Sequence, residues 1–245
     1  MTAVDHIFFL IIAVIHPIVG YISFKRLLRR IAAGENISRA KLYNTTLLGH
    51  WALFGITLAI WSGTGRPWDV LGFGLTTGGW FLAGALLTVV GIALLLMQVR
   101  QVKSADDAEL QKYCDQLGQL EVILPRNGNE LGRFYGLSFT AGIVEETIWR
   151  GFMIWYLAPF LPLWAAAVVS AIGFGAAHAY QGAANLPRIT LVGAAFVGLY
   201  LLTGSLWLPM IMHAAVDILQ GRLAYEVIHR TAGGASANDG TTVEA

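Results

Sequence analysis

Charge is scarce in this sequence: 16 Lys or Arg and 15 Asp or Glu among 245 residues, 13%, against about 25% in an ordinary soluble domain. That deficit excludes a water-facing globule. There is one cysteine, Cys114, so an internal disulfide is excluded, and in its polar surroundings it is a plain reduced thiol. A net charge of +1 leaves no continuous basic face for phosphates, which excludes a nucleic-acid binder. The start, Met1 to Asp5, lacks the basic residues of a cleaved signal peptide, and the first apolar run is expected to stay as a helix.

What is abundant is apolar: 56% of the chain. No Asp, Glu, Lys or Arg occurs at 6–24, 42–65, 70–99, 151–187 or 189–216, and each run exceeds the ~18 residues of a membrane-helix candidate. The expected fold is therefore all-α, a polytopic transmembrane bundle of about seven to eight helices. The spans are placed at about 4–24, 42–62, 80–99, 134–157, 162–179, 188–203 and 207–229. Residues 1–130 are expected to form the N-terminal membrane helices with a cytoplasmic surface helix at 101–121, 131–230 a catalytic helical core, and 231–245 a disordered tail.

Orientation follows from the basic residues between spans. Segment 25–41 carries Lys25, Arg26, Arg29, Arg30, Arg39 and Lys41 against Glu35, whereas 63–79 has only Arg66. The first is expected in the cytoplasm. Alternation then puts the N-terminus outside and the C-terminus inside the cell membrane. Trp61, Trp68, Trp80, Trp155, Trp164 and Trp207 all fall at the outer boundary on this reckoning, where an indole ring prefers to sit.

Span four breaks the charge-free rule with Glu145, Glu146 and Arg150, and span seven with Asp217 and Arg222. A charge at membrane depth costs at least ~2.5–3.5 kcal/mol on insertion scales, so such groups are paired and mark functional sites. Glu146 and Arg150 are four apart on one helix face and pair favourably. Glu145, turned by about 100°, must face something else inside the bundle. His178 ends span five, and His213 and Asp217 lie one turn apart in span seven. His16 and His50, alone in apolar runs, are given the plainer role of packed histidines bonded to backbone carbonyls.

Glu145-Glu146-x-x-x-Arg150, Phe174-x-x-x-His178 and His213-x-x-x-Asp217, in that order, resemble the motifs of the CPBP intramembrane protease (Abi) family, which takes in type II CAAX prenyl endopeptidases and bacteriocin-processing or self-immunity proteins. The resemblance spans about 132–230, and Thr203–Pro209, His178–Gly182 and Pro67–Gly72 add to it. It implies proteolysis within the membrane of a membrane protein or lipidated, CAAX-type peptide. It also implies roles: Glu145 activating water, Glu146 with Arg150 as a structural ion pair supported by Phe174, and His178, His213 and Asp217 as the remaining catalytic positions. The family's prenyl endopeptidases commonly have Asn where this chain has Asp217; an ionised carboxylate cannot donate to an oxyanion, so Asp217 is given an orienting role towards His213.

Amide hydrolysis needs a base for water, stabilisation of the tetrahedral oxyanion and a proton for the leaving amine, and this residue set can supply all three. No cofactor is assigned; a zinc ion, were one used, would take Glu145, His178 and His213. His-Glu-x-x-His, Gly-x-Ser-x-Gly and Gly-x-Gly-Asp are absent, which removes the corresponding protease designs. The alternatives are a non-catalytic membrane immunity or scaffold protein and a proton-coupled transporter, the latter without broken helices in two matching halves. Straight helices would put His178 towards the inner boundary, His213 towards the outer one and Glu145 between them.

Overall fold

The computed structural model describes residues 1–238, with side chains through Thr231. The described chain is all-helical. The first helix runs continuously as α1 (Ala3–Leu10), a π-helical turn (Ile11–Ile15) and α2 (His16–Ala32), followed by α3 (Arg39–Gly63) and α4 (Gly79–Ser104). Next come α5 (Asp107–Leu117), α6 (Gly128–Glu146), a second π-helical stretch (Thr147–Met153) and α7 (Ile154–Leu157). The chain ends in α8 (Leu163–Ala177), α9 (Leu186–Thr203) and α10 (Trp207–Asn238). From 239 onward, the tail expected to be disordered lies outside the described residues.

Among the described residues, four stretches are long and apolar enough to cross a membrane: Ala3–Ala32, Arg39–Gly63, Gly79–Ser104 and Ala183–Thr203. Their apolar side chains point outward, with Leu82, Leu86, Leu87 and Val89 of α4 and Ile7, Leu10 and Ile18 of the first helix all exposed. That is the inverse of a soluble bundle, and it suits a lipid surround. The other three expected spans coincide with the α6–α7 rod, with α8, which is only 15 residues long, and with α10.

Element boundaries follow local chemistry. Ser38, Asp106 and Asn127 cap α3, α5 and α6, each side chain accepting the backbone N–H three residues on. Asn127 thus starts a helix six residues before the expected span at 134. The expected surface helix at 101–121 is divided, its first residues completing α4 before the Asp106 cap. The basic segment after the first span continues α2 as far as Ala32.

The helix α6 is flanked by α3 and α10, and α8 packs on α9. Helices in lipid associate through close packing rather than apolar burial, and Gly142 allows it here. A Cβ at that position would stand 2.8 Å from the Met210 carbonyl oxygen of α10. One core runs from Phe8, Ile12 and Trp61 of the N-terminal helices to Val144, Phe152 and Phe174. The loop after α3 is pinned to the α9–α10 corner: Leu206 N–H donates to Gly72 O at 2.8 Å, and Ser205 Oγ to Gly74 O at 3.0 Å. Gly72 has φ 100°, and a Cβ there would meet Leu206 at 2.8 Å.

Trp61 corrects the boundary assignment. It is fully buried, its indole N–H donating to Pro67 O at 3.0 Å and its ring edge-on to Trp155. The loop satisfies its polar edge in place of the membrane interface. Beside it, Arg66 grips the buried Asp5 with two hydrogen bonds of 2.7 and 2.5 Å, fastening the chain start to the end of α3.

Candidate active site

Glu145 and Glu146 close α6, and a fully buried π-helical stretch follows them. Such wide turns inside helices recur at functional sites. Here Ser170 of α8 donates its hydroxyl to the Trp149 carbonyl at 2.5 Å, giving a backbone acceptor in that turn a polar partner away from water.

Glu146 is wholly buried. Its Oε1 lies 3.0 Å from Arg150 Nη1 and 2.7 Å from His213 Nδ1. Arg150 in turn donates from Nη2 to Gly193 O at 3.0 Å and lies over the rings of Phe174 and Phe196, 4.4 and 5.3 Å from their centroids. Removing a buried charge's partner is costly; here the Gly193 carbonyl takes one N–H of the guanidinium and two aromatic faces flank it, while Nε and Nη1 have no hydrogen-bond partner besides the ionic contact of Nη1 with Glu146. The expected Glu146–Arg150 pairing is therefore present in the structure.

His213 sits on the same side. It is buried between Phe196, stacked at 5.0 Å, and Phe174, edge-on at 5.8 Å. Its nearest carboxylate is Glu146. Asp217, the expected orienting residue, approaches Nε2 only to 3.6 Å, beyond hydrogen-bond length, and its side chain is 38% exposed. The ring is thus held from Nδ1, with Nε2 turned towards Asp217.

Glu145 faces the other way, and two histidines meet it. His178 follows the last residue of α8 and donates its Nδ1–H back to Phe174 O at 2.8 Å, which leaves Nε2 3.7 Å from Glu145 Oε2. The chain after it turns through two short 3-10 segments into α9, so His178 is delivered to Glu145 by the end of a helix shorter than a full span. His50 of α3 repeats the device: Nδ1–H donates to Thr46 O at 2.9 Å, and Nε2 reaches Glu145 Oε1 at 3.1 Å. Glu145 Oε2 is buried and has no hydrogen-bond partner. Phe174 separates the two carboxylates' surroundings, touching His178 at 4.6 Å between ring centroids on one side and His213 on the other.

The structure therefore links all seven expected positions by contacts, with His178 and His213 beside different glutamates. The zinc set of Glu145, His178 and His213 does not close, because His213 is committed to Glu146. Among the described residues no group of three His, Cys, Asp or Glu is placed to hold a metal ion.

Sequence reasoning missed His50. The packed role assigned to it holds for Nδ1 alone, since Nε2 reaches across 95 positions of sequence to Glu145. His16 also lies within Coulombic range of Glu145, His50 and His178. The only prior signal was a histidine at membrane depth in each of the first two spans.

Residues 127–219 match the sequence model of the family described as type II CAAX prenyl endopeptidase Rce1-like. The matched stretch is under half of the chain; it contains Glu145, Glu146, Arg150, Phe174, His178, His213 and Asp217, and it excludes His16 and His50. No curated protein and no solved structure matches the chain.

Proposed function

We propose that this protein is an intramembrane endopeptidase that hydrolyses peptide bonds of membrane-associated proteins with water activated by Glu145. The family match supports a protease of the CAAX endopeptidase kind, and the long apolar helices support action from within a membrane. The observation that carries the reading is the partnerless Oε2 of Glu145 beside the bare Nε2 of His178, 3.7 Å away. His178 donates its Nδ1–H to Phe174 O, so in its neutral form Nε2 is an acceptor, like Glu145 Oε2.

A water entering there donates one hydrogen to each, which leaves an oxygen lone pair free for a substrate carbonyl. As the C–O bond forms, Glu145 takes the proton and the carbonyl π electrons move to oxygen. The tetrahedral oxyanion then collapses, the C–N bond breaks, and the departing amine takes up a proton. His213, with a carboxylate beside each nitrogen, is suited to stabilise the oxyanion or protonate the amine from Nε2. Glu146 and Arg150 hold that ring and the helix end without touching substrate. Prenylated, CAAX-type ends are the substrate class that the family match favours, with the N-terminus outside and the C-terminus in the cytoplasm of the cell membrane.

The test is mass-spectrometric mapping of new protein termini in membranes from cells expressing wild type or Glu145→Gln at equal levels, repeated with the purified pair on each candidate peptide. Termini present only with the wild type are expected. Identical terminus maps at matched expression would discard proteolysis in favour of a scaffold or immunity role.

A further inference from the structure

We infer that His50, which lies in α3 outside the family-matched stretch, is a positioning residue of the Glu145 site: it holds Oε1 and thereby fixes the direction in which the other carboxylate oxygen meets water. The inference rests on the proteolytic reading for its consequence and on geometry for its existence. Nδ1 of His50 faces a backbone carbonyl, Thr46 O, at 2.9 Å, and a carbonyl only accepts, so that nitrogen carries hydrogen. Nε2 faces a carboxylate oxygen at 3.1 Å. Two lone pairs do not approach that closely away from water without a proton between them. His50 is thus the donor in a charge-assisted hydrogen bond to Oε1.

His178, built by the same i to i−4 device, differs in one respect. Its Nε2 stands off at 3.7 Å from Oε2, too far for a hydrogen bond. The carboxylate is clamped on one oxygen and open on the other, and the clamp comes from a different helix. Without it the carboxylate can rotate out of the plane that aims its free oxygen at the space beside His178. A misplacement of about 1 Å in such a group costs on the order of 100-fold in rate. The matched segment therefore depends on α3 for the geometry of its base.

The decisive experiment uses full-length protein in lipid nanodiscs. His50→Leu removes the donor; His50→Gln keeps an N–H near the Nε2 position. On a peptide cleaved by the wild type, His50→Leu is expected to lower kcat about 10- to 100-fold with KM within about twofold, and His50→Gln to recover most of the loss. Wild-type kcat in His50→Leu, or equal loss in both folded variants, would overturn the inference.

A second arm needs no substrate. In protein labelled with 15N-histidine, the His50 ring nitrogens, assigned by their disappearance in His50→Gln, should both be protonated and should shift on Glu145→Gln. A His50 ring that does not respond to Glu145→Gln would overturn the contact even if every peptide is cleaved. So would a stoichiometric metal in the wild type that His50→Gln releases, since a cation would then bridge the pair. If no peptide is cleaved, the proteolytic reading fails while this arm still decides the contact.

Discussion

Two adjacent carboxylates at the end of α6 stand in contrasting surroundings. Glu146 is fully buried and shares Oε1 between Arg150 and His213 at 3.0 and 2.7 Å, whereas Glu145 keeps 17% of its side chain exposed and meets two histidines, His50 at 3.1 Å and His178 at 3.7 Å; each carboxylate keeps its second oxygen without a hydrogen-bond partner. One turn of roughly 100° about the helix separates them. The Glu146 side is a buried charge cluster that ties α6 to α10, and the Glu145 side, with its open oxygen towards His178, is the one proposed as the base. Identical side chains in adjacent positions can therefore be told apart by what the neighbouring helices present: Arg150, Phe196 and His213 on one side, His50 and His178 on the other.

The contrast is broken most directly at Glu145. Glu145→Gln keeps the shape and removes the base, and peptide cleavage should fall by about 1,000-fold, within the range for general-base removal. Thermal stability in detergent should fall less than in Arg150→Ala, because the Gln amide oxygen can still accept the His50 N–H. A matching fall in stability would show that Glu145 is as structural as Glu146.

The reverse pattern is expected on the other side. Arg150→Ala leaves Glu146 charged and buried, which should cost about 3–5 kcal/mol of stability. Thermal unfolding in detergent checks this. The double variant Glu146→Gln/Arg150→Met, which removes both charges, should be more stable than Arg150→Met alone. Non-additivity of that sign is the mark of a coupled pair, and its absence would mean that the two residues act independently.

Much of this contrast was legible beforehand. Glu146 and Arg150 sit one turn apart in a run otherwise free of charge, and elementary helix geometry puts Glu145 on another face. The all-helical fold followed from the long charge-free gaps. What stayed hidden depended on lengths and caps. His178 reaches Glu145 because α8 stops after 15 residues and the chain turns at once, whereas a full-length straight span would have carried it away. His50 was hidden for another reason: its local bond to Thr46 is all that sequence proximity can suggest, and its second contact depends on where α3 lies against α6. Trp61 likewise looked like an interfacial residue until the loop at Pro67 covered its indole N–H.

The crossing of α6 and α10 joins the two sides, and it can be loosened without touching either charge. A Cβ on Gly142 would lie 2.8 Å from Met210 O and 2.9 Å from Ala214 N, both backbone atoms that cannot swing away. Gly142→Ala should therefore push α10 outward at a cost of about 1–3 kcal/mol. Because α10 carries His213 while α3 and α8 carry the Glu145 contacts, fluorescence-monitored unfolding should show the loss, and kcat should fall more than the His50 ring resonances move. Wild-type stability would mean that the helices are not this close.

The smallest effect is expected at Asp217, where the sequence had placed an orienting partner for His213. Its carboxylate is 3.6 Å from Nε2 and more than a third exposed, while Glu146 holds Nδ1 at 2.7 Å. A partly solvated pair at that distance contributes at most about 1 kcal/mol. Asp217→Asn should thus lower kcat no more than about fivefold and leave the melting temperature unchanged. The comparison variant is Glu146→Gln, which should impair both quantities, because it weakens the bond that sets the ring and strands Arg150. If Asp217→Asn instead proves as damaging as Glu146→Gln, then His213 is oriented through Nε2 during turnover, and the division of labour between the two carboxylates of α6 has to include a third on α10.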